Sequence, residues 1–158
     1  MAKIMVMYYS RGGNTKKMAE IIAGAIEQEG VKAALKDIRE VAADELIKYD
    51  GIIIGSPTYY GSMSAEVKKL LDETVKFHGK LDGKVGAAFS TSANIGGGNE
   101  STILDILQAM LIHGMIIQGD PQGDHYGAVS IGSPDARASK ECLRMGIRAA
   151  KLVKKVLK

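Results

Sequence analysis

The feature that most constrains this chain is an alternation of two hydrophobic periods that recurs along its whole length without a linker. Continuous apolar runs of strand length lie at 4–9, 51–55 and 85–89, each bounded by turn-forming residues, as in strands buried on both faces. Weaker strand signals lie at 31–38, 115–117 and 128–131, and a polar excursion at 118–127 interrupts the last of the expected strands. Between these runs the period lengthens to that of a helix. Met18, Ile21, Ile22, Ala25 and Ile26 form one stripe, and Val67, Leu70, Leu71 and Val75 a second. Ile103, Ile106, Leu107, Met110 and Leu111 form a third, and Leu143, Ile147, Ala150, Val153 and Leu157 a fourth. A short helical turn is expected at 44–48. Parallel neighbours need crossover connections, so the alternation predicts an α/β fold in one domain, 1–158. Its expected form is a doubly wound, five-stranded parallel sheet of order 2-1-3-4-5 in a three-layer α/β/α sandwich. Ligands of such sheets bind outside the carboxyl ends of the strands, where the strand order reverses.

Composition narrows the function classes. The one cysteine, Cys142, excludes an intramolecular disulfide framework and multi-cysteine metal sites, and fits a reducing, cytoplasmic setting. No apolar run is long enough for a membrane span, and the opening residues read as a strand rather than a signal peptide. The formal net charge of +3 raises the question of an acidic partner. The bases are dispersed except for Lys151, Lys154, Lys155 and Lys158, which complement a helix C-terminus and have no interleaved aromatics, so no nucleic-acid partner is expected. The histidines, His78, His113 and His125, show no metal-ligand spacing, and no metal is expected; His113 and Cys142 read as structural. With 19 glycines against 3 prolines, glycine needs an explanation by position.

Much of it falls on three loops. Ser10, Arg11, Gly12, Gly13, Asn14 and Thr15 lead straight into the first helix, where backbone N–H groups and the helix dipole favour an anion; a phosphate is the expected group. The segment is neither a P-loop nor a Gly-x-Gly-x-x-Gly fingerprint, although Asp37 stands where a ribose-binding acid would. The second loop holds Pro57, Thr58, Tyr59, Tyr60 and Gly61, a flat apolar surface with hydrogen-bonding groups that suits a planar heterocycle. The third holds Thr91, Ser92, Ala93, Asn94, Ile95, Gly96 and Gly97, small enough for backbone to approach a ligand edge. His125 and Tyr126, on the polar excursion, are candidates for substrate contact.

A receiver domain shares this topology but needs acids where this chain has Ser10 and Ser56. The hydroxyl- and glycine-rich first loop ending in Asn14-Thr15 instead resembles that of the flavodoxin-like FMN proteins, and the resemblance covers essentially the whole chain. Tyr8-Tyr9-Ser10, the segment from Pro57 to Ser64, Gly96 to Glu100, and Tyr126-Gly127-Ala128 are most similar to the WrbA-type NAD(P)H:quinone oxidoreductases. The resemblance implies that Ser10 to Thr15 hold the FMN phosphate, that Thr58, Tyr59 and Tyr60 line the flavin and ribityl chain, and that Thr91 to Gly97 meet the polar edge of the ring. Two departures stand out. Members of that subfamily commonly carry longer segments before the third strand and between the third helix and the fourth strand, and the third loop has Ser-Ala-Asn-Ile where a Thr-Gly-Thr type is usual.

Two functions follow from the resemblance. One is an FMN-dependent oxidoreductase that takes hydride from NAD(P)H and reduces a quinone, in a dimer or tetramer. The other is a flavodoxin proper, carrying electrons between protein partners. The net positive charge and the absence of an aromatic residue from the third loop favour the enzyme, because carriers are usually acidic and usually enclose the ring from both loops. A cofactor that carries the electrons also explains why no nucleophilic triad is found.

Overall fold

A computed structural model describes residues 1–158. Its elements are β1 (Lys3–Tyr8), α1 (Asn14–Gln28), β2 (Lys32–Asp37), β3 (Gly51–Pro57), α2 (Ala65–Glu73), β4 (Val85–Ser92), α3 (Asn99–Ile112), β5 (Ile116–Ile117), β6 (Val129–Ile131) and α4 (Ala136–Val156). The expected turn at 44–48 is a 3₁₀ helix, Ala43–Lys48. All pairings are parallel in the order β2-β1-β3-β4-β5, with β6 also beside β4. The doubly wound expectation therefore holds, and the fifth position is shared by two short strands. β5 pairs with Val85 and Gly86, β6 pairs with Ser90 to Ser92, and residues 118–127 leave the sheet between them.

Alternation along the strands divides the core in two. Ile4, Val6, Tyr8, Ile53 and Phe89 face α1 and α4, while Met5, Met7, Ile52, Ile54 and Ala88 face α2 and α3. Both sets are buried, which is why the strands read as continuous apolar runs. Gly55 pairs in register with Phe89 on β4, and its missing side chain leaves room for the Phe89 ring, which occupies the space a Cβ would need.

The helical stripes need one correction. The buried face of α4 is Ala138, Cys142, Gly146, Ala149, Ala150 and Val153, whereas Leu143 and Leu157 from the expected stripe are exposed. Close approach to α1 selects small residues here. A Cβ on Gly146 would lie 2.6 Å from the Ile22 carbonyl oxygen and 2.7 Å from the Ala25 Cβ. Val75 and Leu111 are exposed as well; α2 ends at Glu73, and Val75 falls in the 3₁₀ turn Thr74–Phe77.

The expected structural histidine and cysteine are both buried. His113 Nε2 meets Thr74 Oγ1 at 2.7 Å, and burial pushes the Cys142 thiol up to about 12. Cys142 is therefore expected to resist Ellman's reagent at pH 8 in the folded protein and to react on adding denaturant. Gly146→Ala should lower stability by about 1–3 kcal/mol in urea unfolding, since overpacking forces the two helices apart.

Candidate functional site

Strand register brings the three loops to one level. Tyr8 pairs with Gly55, Ser56 with Ser90 and Pro57 with Thr91, and the ladder continues through Tyr9 N–H to the Gly55 carbonyl and Thr58 N–H to the Thr91 carbonyl. The chain therefore leaves β1, β3 and β4 side by side, at the reversal of strand order.

In the first loop Gly13 takes the left-handed conformation, φ 93°, and its N–H donates to Ser10 Oγ at 3.0 Å. No side chain caps α1 and no acid stands in its first turn, which carries Lys16 and Lys17 instead. By contrast Ser64 caps α2 and Asp135 caps α4. Free first-turn amides with lysines beside them make α1 a seat for an anion. Arg11 and Gly12 stand exposed above it.

The second and third loops are joined by a chain of hydroxyls. Thr102 Oγ1, on α3, lies 3.1 Å from Thr58 Oγ1, which lies 3.0 Å from Ser90 Oγ. Thr15 Oγ1 and Thr91 Oγ1 are 3.0 Å apart, tying α1 to β4. Ser101 Oγ lies within donating distance of the Gly61 carbonyl, 2.7 Å, and of the Gly98 carbonyl, 2.9 Å, while Ser62 Oγ donates to Asp105 at 2.6 Å. Gly98, φ 97°, packs so closely that a Cβ would fall 2.7 Å from the Gly61 Cα. The two tyrosines divide their roles. Tyr59 makes an edge contact with Tyr9 at 6.4 Å between centroids, whereas Tyr60, φ 50°, stands wholly in solvent. Ile95, on the third loop, is 89% exposed. The site thus offers an anion seat, a polar floor and two unburied apolar side chains.

A family model described as a flavodoxin domain matches residues 5–101, more than half of the chain. The chain belongs to the flavodoxin domain family. Among its relatives, a flavodoxin of Aquifex aeolicus is 40% identical over 162 aligned positions, covering 97% of this chain and 88% of that one. An NAD(P)H dehydrogenase (quinone) of Archaeoglobus fulgidus is 32% identical over 190 positions, covering 99% and 100%. The crystal structure of a flavodoxin, WrbA-like protein from Agrobacterium tumefaciens superposes with a TM-score of 0.80 at 27% identity, covering 98% and 99%.

Within this flavodoxin domain the structure gathers Ser10 to Thr15, Pro57 to Gly61 and Thr91 to Gly97 at one edge of the sheet. Thr91 and Ser92 are strand residues, not loop residues, because Thr91 is paired with both β3 and β6 and Ser92 is still paired with β6. Ala93 and Asn94 begin the loop, and Ser92 Oγ donates to the Asn94 carbonyl while accepting from Asn99. His125 and Tyr126 are placed elsewhere, on a cavity beside the break in the fifth strand position that shares no lining residue with the three loops. Asp37 is engaged at both oxygens by Arg39, whose hydrogen bonds hold the carboxyl below its usual range. Ser101 and Thr102 were not legible as site residues; only their closeness to Gly61 and Thr58 reveals them. Gly98→Ala should detach the second loop from α3, seen as faster hydrogen exchange at the Gly61 and Ser62 amides with the strand amides unchanged.

Proposed function

We propose that this chain binds FMN where β1, β3 and β4 end and works as an NAD(P)H:quinone oxidoreductase. FMN, when bound, supplies the two-electron chemistry. The residues present fit that group. The uncapped N-terminus of α1, with Ser10, Arg11, Gly12, Gly13, Asn14 and Thr15, suits a phosphate dianion, and the exposed rings and side chains of Tyr60 and Ile95 suit a flat apolar ring. Pro57, Thr58, Tyr59 and Gly61 bound the same crevice from β3, and Thr91, Ser92, Ala93, Asn94, Gly96 and Gly97 bound it from β4. Asp37, committed to Arg39, argues against a dinucleotide cofactor held through its ribose.

One observation carries the enzyme reading. The second loop brings tyrosines to the crevice and the third brings no aromatic residue, only Ile95 among small side chains, so aromatic cover comes from one loop alone. Such one-sided cover leaves room for a flat donor or acceptor. The second reading, an electron carrier between proteins, draws on a different observation. The flavodoxin of Aquifex aeolicus aligns over 162 positions, whereas the quinone dehydrogenase of Archaeoglobus fulgidus needs 190, so this 158-residue chain lacks segments that the latter has.

Titrating the purified protein with FMN should shift and sharpen the two visible flavin bands, and an unchanged spectrum would remove the basis of both readings. Asn14→Ala should weaken FMN by about tenfold, the loss expected of one charge-assisted hydrogen bond, and leave riboflavin affinity unchanged. Anaerobic NADPH or NADH should bleach the flavin, and benzoquinone should restore its colour. Resistance to both nicotinamides, together with reduction in two well-separated one-electron steps, would favour the carrier.

A further inference from the structure

The break in the fifth strand position creates a second cavity, apart from the crevice. Between Ile117, which pairs with Gly86, and Val129, which pairs with Ser90, the edge of β4 has no ladder partner. A strand occupies roughly 4.8 Å across a sheet, and its absence opens a slot about as wide as an aromatic ring is thick. The two halves of the core meet there. Met145, Ala149 and Leu152 line the slot from the α4 side, and Leu107 lines it from the α3 side. The cavity has a volume of about 50 Å³, several times the roughly 10–15 Å³ that one water needs.

The loop 118–127 roofs this slot and is fastened to α4. Asp120 pairs with Arg144 and Arg148, Asp124 with Arg137, and Arg148 also donates to the Gly119 carbonyl at 2.7 Å. Gly127 closes the upper end by packing on the Ala88 carbonyl, where any Cβ would collide. The three arginines near the rim are all committed to Asp120 and Asp124, and Glu141 only accepts from the Asp124 N–H, so an anionic ligand finds no free counter-charge. The neutral lining groups without a side-chain partner are the Gln118 amide, the Tyr126 hydroxyl and one nitrogen of His125. His125 Nδ1 lies 2.7 Å from the Asp120 carbonyl, which can only accept, so Nδ1 carries the proton and Nε2 is left as an acceptor.

We infer that this cavity is a binding site for a small, neutral, flat molecule with one hydroxyl, whose ring enters the slot and whose hydroxyl donates to His125 Nε2 at the mouth. The site is independent of FMN and is occupied with or without it.

Phenol is the probe, added to ¹⁵N-labelled protein while amide shifts are followed. Saturable shifts at Gly86, Ala87, Gly127 and Leu152, with Gly13 and Gly96 unmoved and the same response after FMN is added, are the expected result. Toluene, which lacks the hydroxyl, and benzoate, which is charged, should each bind at least about fivefold more weakly. Ala149→Phe, which fills the slot, should abolish the saturable shifts; Leu152→Phe serves if that variant does not fold. Non-saturating shifts spread over the surface, benzoate binding as well as phenol, or an undiminished response in the filled variant would overturn the inference. Because the shifts are read without FMN, failure here leaves the crevice assignment standing, and failure of FMN binding leaves this site standing.

Discussion

The parallel ladder from β1 through β3 to β4 is the constraint on which the remainder of the structure depends. Its register puts Tyr8 beside Gly55, Ser56 beside Ser90 and Pro57 beside Thr91, so three connections begin at a common height. The ladder holds because both of its faces are covered, by α1 with α4 and by α2 with α3. Slipping one strand by a residue would exchange Ile4, Val6 and Tyr8 with Met5 and Met7 between the two halves of the core and would scatter the loops. Anion seat, hydroxyl floor and aromatic cover are then consequences of where the strands stop.

That ladder was the most legible part of the sequence, because strands buried on both faces must be apolar throughout. The loops were legible for a related reason: glycine and hydroxyl residues packed into short segments after apolar runs have few structural uses. Other features depend on distances that a linear pattern does not hold. On α4 the large residues Leu143 and Leu157 draw the stripe toward themselves, whereas the buried face is made mostly by Ala138, Cys142, Gly146, Ala149 and Ala150, whose merit is being small. The hydrophobic pattern weighs apolar size, and close helix contact inverts that weighting.

The site shows the same division. Ser10 to Thr15 are contiguous, so the expectation of an anion there needs no knowledge of the fold. Thr102 and Ser101 act through residues some forty positions earlier, Thr58 and Gly61, and as isolated helix residues they carry no signal. Thr91 and Ser92 looked like loop because hydroxyls are uncommon in a buried strand. They remain in β4 because Thr15, Asn94 and Asn99 satisfy their oxygens there. His125 and Tyr126 lie close to the crevice along the chain's topology, but the polar excursion that bears them folds against α4.

The packing of α4 on α1 also bears on how the chain folds. Lys154 reaches the Glu29 carbonyl at 2.8 Å across 125 residues of sequence, and Gly146 rests on Ile22. One face of the sheet is therefore finished only when a distant segment returns to it, whereas the other is built from α2 and α3, which lie between strands they cover. Contacts of such long separation carry a high loop-closure cost and form late. During synthesis, the α2–α3 half of the core is expected to assemble first, with the apolar face of α1 left uncovered until α4 emerges.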